Sequence, residues 1–376
     1  MKLLLKLFII AFILFNSLNC SFQISIFNEM NKSKKGQNLI ISPLSIFQIL
    51  SLTTNGADSE TQLEMIEALQ NEDLDQLNSI NYEILEVLNK CETVDIANAV
   101  MARFTPLENF LEISENYCAP FEKLLSAQQV NNWCSEKTHG KIKKILDKLE
   151  DDVQMILLNA VYFKGEWSSK FEKMNTRNKT FYNLGTEEKV VDTMSQLTHF
   201  KYYEDNQVQA VELPYKKDKM SALVILPRKN VDINKYILSL DTEKDSLSNI
   251  VSNLKSHKVS LELPKFELEF SSSLKEVLQK MGMEKAFTNN ADFSGLRKDA
   301  TLKIDEVLHK TYLKVNEDGT EAAAVTAVII TYGSAMPEPE IIYEMKVNRP
   351  FLFILRSNDL PKDNDILFIS KIEKLK

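Results

Sequence analysis

Glycine is scarce in this chain, nine residues in 376, and histidine scarcer, four. So few glycines leave little material for loops that cradle phosphate, and neither a P-loop nor a dinucleotide fingerprint occurs. His139, His199, His257 and His309 form no HExxH motif and no zinc-spaced pair, so no metal centre is expected. A G-x-S-x-G nucleophile elbow is absent too. With no nucleophile beside a base and no metal cluster, the chain does not read as an enzyme, and no cofactor is expected. Excess positive charge is also missing. The net charge is -8, which argues against a nucleic-acid partner.

Cysteine is sparse as well: Cys20, Cys91, Cys118 and Cys134. Scattered spacing is neither a disulfide framework nor a metal site, although one bridge among the last three stays open. No apolar run is long enough to span a bilayer comfortably. The longest near the N-terminus is residues 7–15, preceded by Lys2 and Lys6 and followed by Asn16-Ser17-Leu18-Asn19-Cys20. That is a secretory signal pattern, with cleavage after Cys20. The alternative is a cytoplasmic chain with a buried N-terminal helix. Loss of the two lysines takes the charge from -8 to -10. In a secretory pathway, Asn31-Lys32-Ser33 and Asn178-Lys179-Thr180 are glycosylation acceptors. The remainder, 21–376, shows no repeat and no linker and reads as one domain.

What is present concentrates near the C-terminus. Residues 320–331 hold no Pro, no Gly and one charge, Glu321, with small residues first and β-branched ones after. That is a strand composition between loop-like flanks. In an extended chain, Thr320, Ala322, Ala324, Thr326, Val328 and Ile330 share one face, small and neutral. This face could enter a sheet without burying a charge, whereas a bare β-prone segment invites aggregation. The plainer reading is an ordinary core strand.

Gly319-Thr320-Glu321-Ala322-Ala323-Ala324 resembles the proximal hinge of inhibitory serpins, and 345–355, Met-Lys-Val-Asn-Arg-Pro-Phe-Leu-Phe-Ile-Leu, resembles the segment downstream of the serpin reactive loop. Both lie in serpin order, and the likeness extends over residues 22–376. It implies an α+β serpin fold: a central mixed sheet, two further sheets, eight to nine helices and an exposed reactive-centre loop at about 317–345. It also implies a hinge at Glu317, Gly319, Thr320, Glu321, Ala322, Ala323 and Ala324.

Other segments carry the likeness. Residues 38–46 put Pro43 in the first turn of a helix that Ser42 caps. They resemble the second serpin helix, whose serines, here Ser42 and Ser45, help form the shutter beneath the main sheet. Residues 155–163 are an almost continuous apolar run, a strand buried on both faces, and Asn159 within it needs hydrogen-bond partners. The resemblance puts Asn159 and His309 in that shutter and Trp167 in the breach, where a loop strand first enters. Trp167 otherwise reads as a core aromatic. Residues 132–142 resemble the end of the helix that crosses the main sheet. Residues 73–89 read as an acidic helix where some serpins carry a basic, heparin-binding one, so heparin is not an expected partner. Further expectations are a helix or helices over 107–125, strand over 259–266 and helix over 271–281.

The resemblance implies a secreted suicide inhibitor of serine proteases, a monomer whose partner is the target protease in a covalent acyl complex, away from membranes. Family spacing from the hinge puts the reactive bond at Gly333–Ser334. Tyr332 and Met336 are alternative specificity residues, though Pro337 follows Met336. No Lys or Arg lies between Lys314 and Lys346, so the target is expected to be chymotrypsin-like or cathepsin-G-like. Thr320→Arg is expected to turn the inhibitor into a substrate. Two alternatives remain: a non-inhibitory serpin carrying a hormone or acting as chaperone for a client, and a cross-class inhibitor of papain-like cysteine proteases.

Overall fold

A computed structural model describes residues 21–217, 219–240, 247–298, 301–320, 340–361 and 363–376. In chain order the helices are α1 Phe22–Ser33, α2 Pro43–Thr54, α3 Ser59–Ala68, α4 Leu74–Leu88, α5 Glu108–Asn116, α6 Ala127–Lys137, α7 Ile233–Ser239, α8 Leu247–Asn253 and α9 Lys275–Lys280. The strands are β1 Leu39–Ile41, β2 Val94–Ala102, β3 Phe121–Lys123, β4 Met155–Phe163, β5 Gly165–Glu166, β6 Arg177–Asn183, β7 Glu187–Glu204 and β8 Val208–Pro214. They continue with β9 Met220–Pro227, β10 Lys255–Pro264, β11 Phe266–Ser273, β12 Glu306–Val315, β13 Gly319–Thr320, β14 Ile342–Lys346, β15 Phe351–Ser357 and β16 Ile366–Ile372. The fold is mixed α+β.

The site rests on the central sheet. Its strands run β3, β2, β4, then β12 and β11, with β4 and β12 parallel and directly paired from Glu306↔Ile156 to Tyr312↔Tyr162. Strand β4 has no polar residue but Asn159, and every position in it is buried. Its alternation explains why. Met155, Leu157, Val161 and Phe163 enter the main core with α2, while Ile156, Leu158, Ala160 and Tyr162 face a second core with Val130, Trp133 and Cys134 of α6. The other two sheets share β7, which pairs β6 and β10 along most of its length and β8 at its end. One of them ends at β14, beyond β10; the other continues through β9, β15 and β16 to β1.

Several expectations change in detail. The span 107–125 is one helix, α5, followed by strand β3, because Tyr117 ends the helix and Cys118 turns at φ 51. The strand expected at 259–266 is the end of β10 and the start of β11, separated at Lys265. Ser271–Ser273 continue β11 against β12, so the helix expected over 271–281 is only α9. Alternation of polar and apolar residues decides those cases once a partner strand is available.

Candidate functional site

Ser42 begins α2 without a side-chain cap; Pro43 sets the first turn, and the Ser42 hydroxyl is buried without a partner. What Ser42 supplies is its backbone N–H, donated to Nε2 of His309 at 3.2 Å. The opposite ring nitrogen, Nδ1, bonds Oδ1 of Asn159. Ser45 Oγ lies 2.9 Å from the same Oδ1, and Asn159 Nδ2 donates to Oδ1 of Asn98 at 2.6 Å. Ser42, Ser45, Asn159 and His309, joined by Asn98, are therefore one buried cluster spanning the start of α2, β4, β12 and β2. With Nε2 accepting, His309 is the neutral Nδ1–H tautomer. Burial pushes its pKa down to about 3.

Asn98 was not singled out by sequence reasoning. The signal existed: it is a lone amide in the apolar run 96–102, as Asn159 is in β4. The register joins them, since Asn98 sits directly opposite Asn159.

The second assembly lies at the end of β12. After Val315 the chain turns through Asn316, Glu317 and Asp318 and reverses into β13. Thr320 pairs Val315 of β12 on one side and Gly165 of β5 on the other, while Gly319 pairs Glu166. Gly319 has φ +153, and a Cβ there would lie 2.0 Å from the Gly165 carbonyl oxygen, so only glycine fits. Trp167 is buried; its Nε1 donates to the Asn316 carbonyl at 3.0 Å and its backbone N–H to the Asp318 carbonyl at 3.1 Å. Its ring stacks on Tyr215 with centroids 4.5 Å apart. The Tyr215 and Thr320 hydroxyls are 2.7 Å apart, and burial holds the phenol well above its ordinary pKa despite that bond.

Glu317 is buried near Thr176, whose hydroxyl donates at 2.8 Å, and near Lys265 at 3.2 Å. Burial raises this carboxyl, but hydrogen bonds from its own backbone N–H, Thr176 and Lys265 outweigh it and hold it below the usual range. Asp318 lies 3.5 Å from Lys170 and 3.2 Å from Lys173. Tyr215 and Lys265 gave no local signal in the sequence; only the tertiary fold delivers them.

This geometry corrects one expectation. Thr320 does not wait for cleavage to be buried: it is already fully buried in the intact chain. Residues 317–320 are thus anchored, not exposed loop. The far side is anchored as well, since β14 runs parallel to β10 from Ile342↔Lys258, and Glu340 contacts His199 at 2.6 Å and Lys258 at 3.2 Å. Glu321, Ala322, Ala323, Ala324, Tyr332, Gly333, Ser334 and Met336 lie outside the described residues, as do residues 1–20. Among the described residues, Cys91, Cys118 and Cys134 form no disulfide.

After leaving β12 the chain reverses and seats Gly319 and Thr320 between β12 and β5, at the end of the directly paired parallel strands β4 and β12. The chain matches the family model of serpins (serine protease inhibitors) over residues 17–375 and belongs to that family. Iripin-2 of Ixodes ricinus is 35% identical over 359 residues, covering 90% of this chain and 88% of its own length. The crystal structure of tengpin, a thermophilic serpin, in its native state superposes with TM-score 0.85 at 34% identity, covering 96% of this chain and 94% of that one. Thyroxine-binding globulin in complex with thyroxine gives 0.83 at 25% identity, covering 96% and 99%.

Proposed function

We propose that the chain is a secreted suicide inhibitor of chymotrypsin-like or cathepsin-G-like serine proteases, with a signal at 1–20 and one serpin domain over 21–376. The carrying observation is the register at Thr320, seated between Val315 and Gly165. A strand continued in that register after cleavage puts Ala322 between Leu313 and Phe163, Ala324 between Thr311 and Val161, and Thr326 between His309 and Asn159. The spacing agrees on both sides, because β12 and β4 are paired with the same offset throughout. The small, neutral set thereby meets the main core, and the one threonine midway meets the buried polar cluster.

The protease's serine attacks the carbonyl carbon of the reactive bond, the acyl-enzyme forms and the new amine is left at the start of the C-terminal segment, whose strands β14, β15 and β16 stay paired in their sheets. The freed strand then parts β4 from β12. Residues 320–330 span the length from Gly165 down to Met155, about 34 Å of strand. An acyl bond at Gly333 leaves three residues of tether, so the protease is carried to the far pole and held there distorted. The inhibitor is consumed in the process. Ladder hydrogen bonds and apolar burial drive insertion.

Incubation of the full chain with chymotrypsin and cathepsin G should give SDS-resistant complexes and release a peptide beginning at Ser334, identified by mass. A peptide beginning at Gly333 would move the bond one residue. Stable complexes with trypsin through a cut between Thr331 and Pro337 would overturn the specificity argument. The carrier reading draws support from the likeness to thyroxine-binding globulin; cleavage without any covalent complex across serine and cysteine proteases would favour it.

A further inference from the structure

The surroundings of Cys91, Cys118 and Cys134 divide them into one and two. Cys134 of α6 is fully buried in the second core beside Val130 and Trp133. Burial pushes its thiol up to about 12, so it is no nucleophile. The other two reach solvent, Cys118 exposed and Cys91 half-buried. They belong to separate segments that meet at one place. Cys91 lies in the connection from α4 to β2, and Cys118 in the connection from α5 to β3. Both line one cleft beside the last turn of α4, together with Leu88, Asn89 and Tyr117. Cys118 Sγ lies 4.0 Å from Oδ1 of Asn89, and Cys91 Sγ donates to the Val87 carbonyl at 3.3 Å. Each sulfur therefore rests against the same turn of α4.

The two connections are built differently. Hydrogen bonds fix the turn at Cys118: its N–H donates to the Glu115 carbonyl at 2.9 Å, and the Ser114 hydroxyl donates to the Ala119 carbonyl at 2.7 Å. The Tyr117 hydroxyl bonds Asn78 and so holds this end of α5 on α4. Cys118 itself sits at φ 51, a conformation that glycine or asparagine adopts with less strain, so its backbone gives no reason for a cysteine. Cys91 lies outside regular structure, tethered by its N–H to the Leu88 carbonyl at 3.0 Å. One sulfur is held, and the other sits on a connection that can adjust to the spacing a bridge requires.

We propose that Cys91 and Cys118 form a reversible disulfide on oxidation by glutathione disulfide, stapling the α4–β2 connection to the α5–β3 connection. The exposed Cys118 thiolate attacks one sulfur of glutathione disulfide, whose S–S bond breaks, and one glutathione thiolate leaves. The Cys91 thiolate then attacks the Cys118 sulfur of the mixed disulfide, and the second glutathione leaves. Two protein thiols are oxidised, one glutathione disulfide is reduced to two glutathiones, and the protons of the protein thiols pass to them. The odd number of cysteines thus resolves into one pair and one sealed thiol. The staple restrains the outer edge of the central sheet, where edge strand β3 pairs β2.

The test uses the purified full chain in glutathione buffers of graded poise, so it depends neither on secretion nor on protease inhibition. Iodoacetamide should label Cys91 and Cys118 in the reduced folded chain, and Cys134 only after denaturation. After oxidation the folded chain should take no label and the denatured chain label at Cys134 alone. Mass spectrometry of the monomer should find the Cys91 and Cys118 peptides linked. Cys134→Ser should bridge as wild type does, whereas Cys91→Ser should hold glutathione on Cys118. Amide exchange over 89–94 and 117–121 should slow by about tenfold or more in the bridged chain. Wild type that stops at the glutathione adduct of Cys118, a covalent dimer through Cys118, a bridge that includes Cys134, or unchanged exchange in both segments would each overturn the proposal.

Discussion

His309 is the residue on which acid sensitivity turns. In the unfolded chain it takes up a proton near pH 6.5, and in the folded one only near pH 3, because burial opposes the charge. Between those values the unfolded state binds more protons, so stability falls as pH falls, by about 1.4 kcal/mol per unit. From pH 7 to 4.5 this one group removes about 2–3 kcal/mol, and the loss levels off near pH 3. Denaturant unfolding of wild type and His309→Gln at both pH values should show the variant losing less by that amount; equal losses would assign the titration to other groups. Gly319 is decided by space rather than charge. Gly319→Ala puts a methyl 2.0 Å from the Gly165 oxygen, so β13 should leave β5. A loss of roughly 2–4 kcal/mol is expected, with new limited proteolysis near 317–320.

At the scale of elements, the seam between β4 and β12 is closed by hydrogen bonds and by the polar cluster beneath it. Asn159→Leu leaves His309, Ser45 and Asn98 without their shared partner, each at about 1–3 kcal/mol. The seam should then open unprovoked, and gel filtration should show polymer or a latent monomer growing with time at moderate temperature. A variant that stays monomeric and active as long as wild type would contradict this. The hinge test shifts in consequence of the structure. Because Thr320 is buried before cleavage, Thr320→Arg damages the intact protein as well and cannot report on insertion alone. Ala324→Arg is the cleaner probe, since in the proposed register it puts a charge between Thr311 and Val161 only after cleavage. It should be cleaved like a substrate and form no SDS-resistant complex; complexes at full yield would sink the register.

For the whole molecule, the intact fold keeps β4 and β12 paired where an eleven-residue strand fits the spacing. Cutting between Thr331 and Met336 with a non-target protease should raise the melting temperature sharply, as the inserted strand adds two ladders and buries the small face. An unchanged melting temperature after complete cleavage would mean that the strand stays out. Of this architecture much was legible. Residues 155–163 read as a doubly buried strand from their almost continuous apolar run, interrupted only by Asn159, because such a run has no solvated alternative. The short elements after residue 107 were not legible, because a three-residue strand such as β3 owes its existence to pairing with β2.

The sequence by itself determined the local facts: a hinge glycine followed by small neutral residues, a loop without cations, lone amides in apolar strands. Those follow from side-chain size, charge and period, which need no partner. Only the tertiary structure decided that Asn98 faces Asn159, that Tyr215 reaches Thr320 and Trp167, and that Thr320 is seated before any cut. Those depend on register between strands far apart in the chain. A shift of one residue would turn each of these side chains to the opposite face.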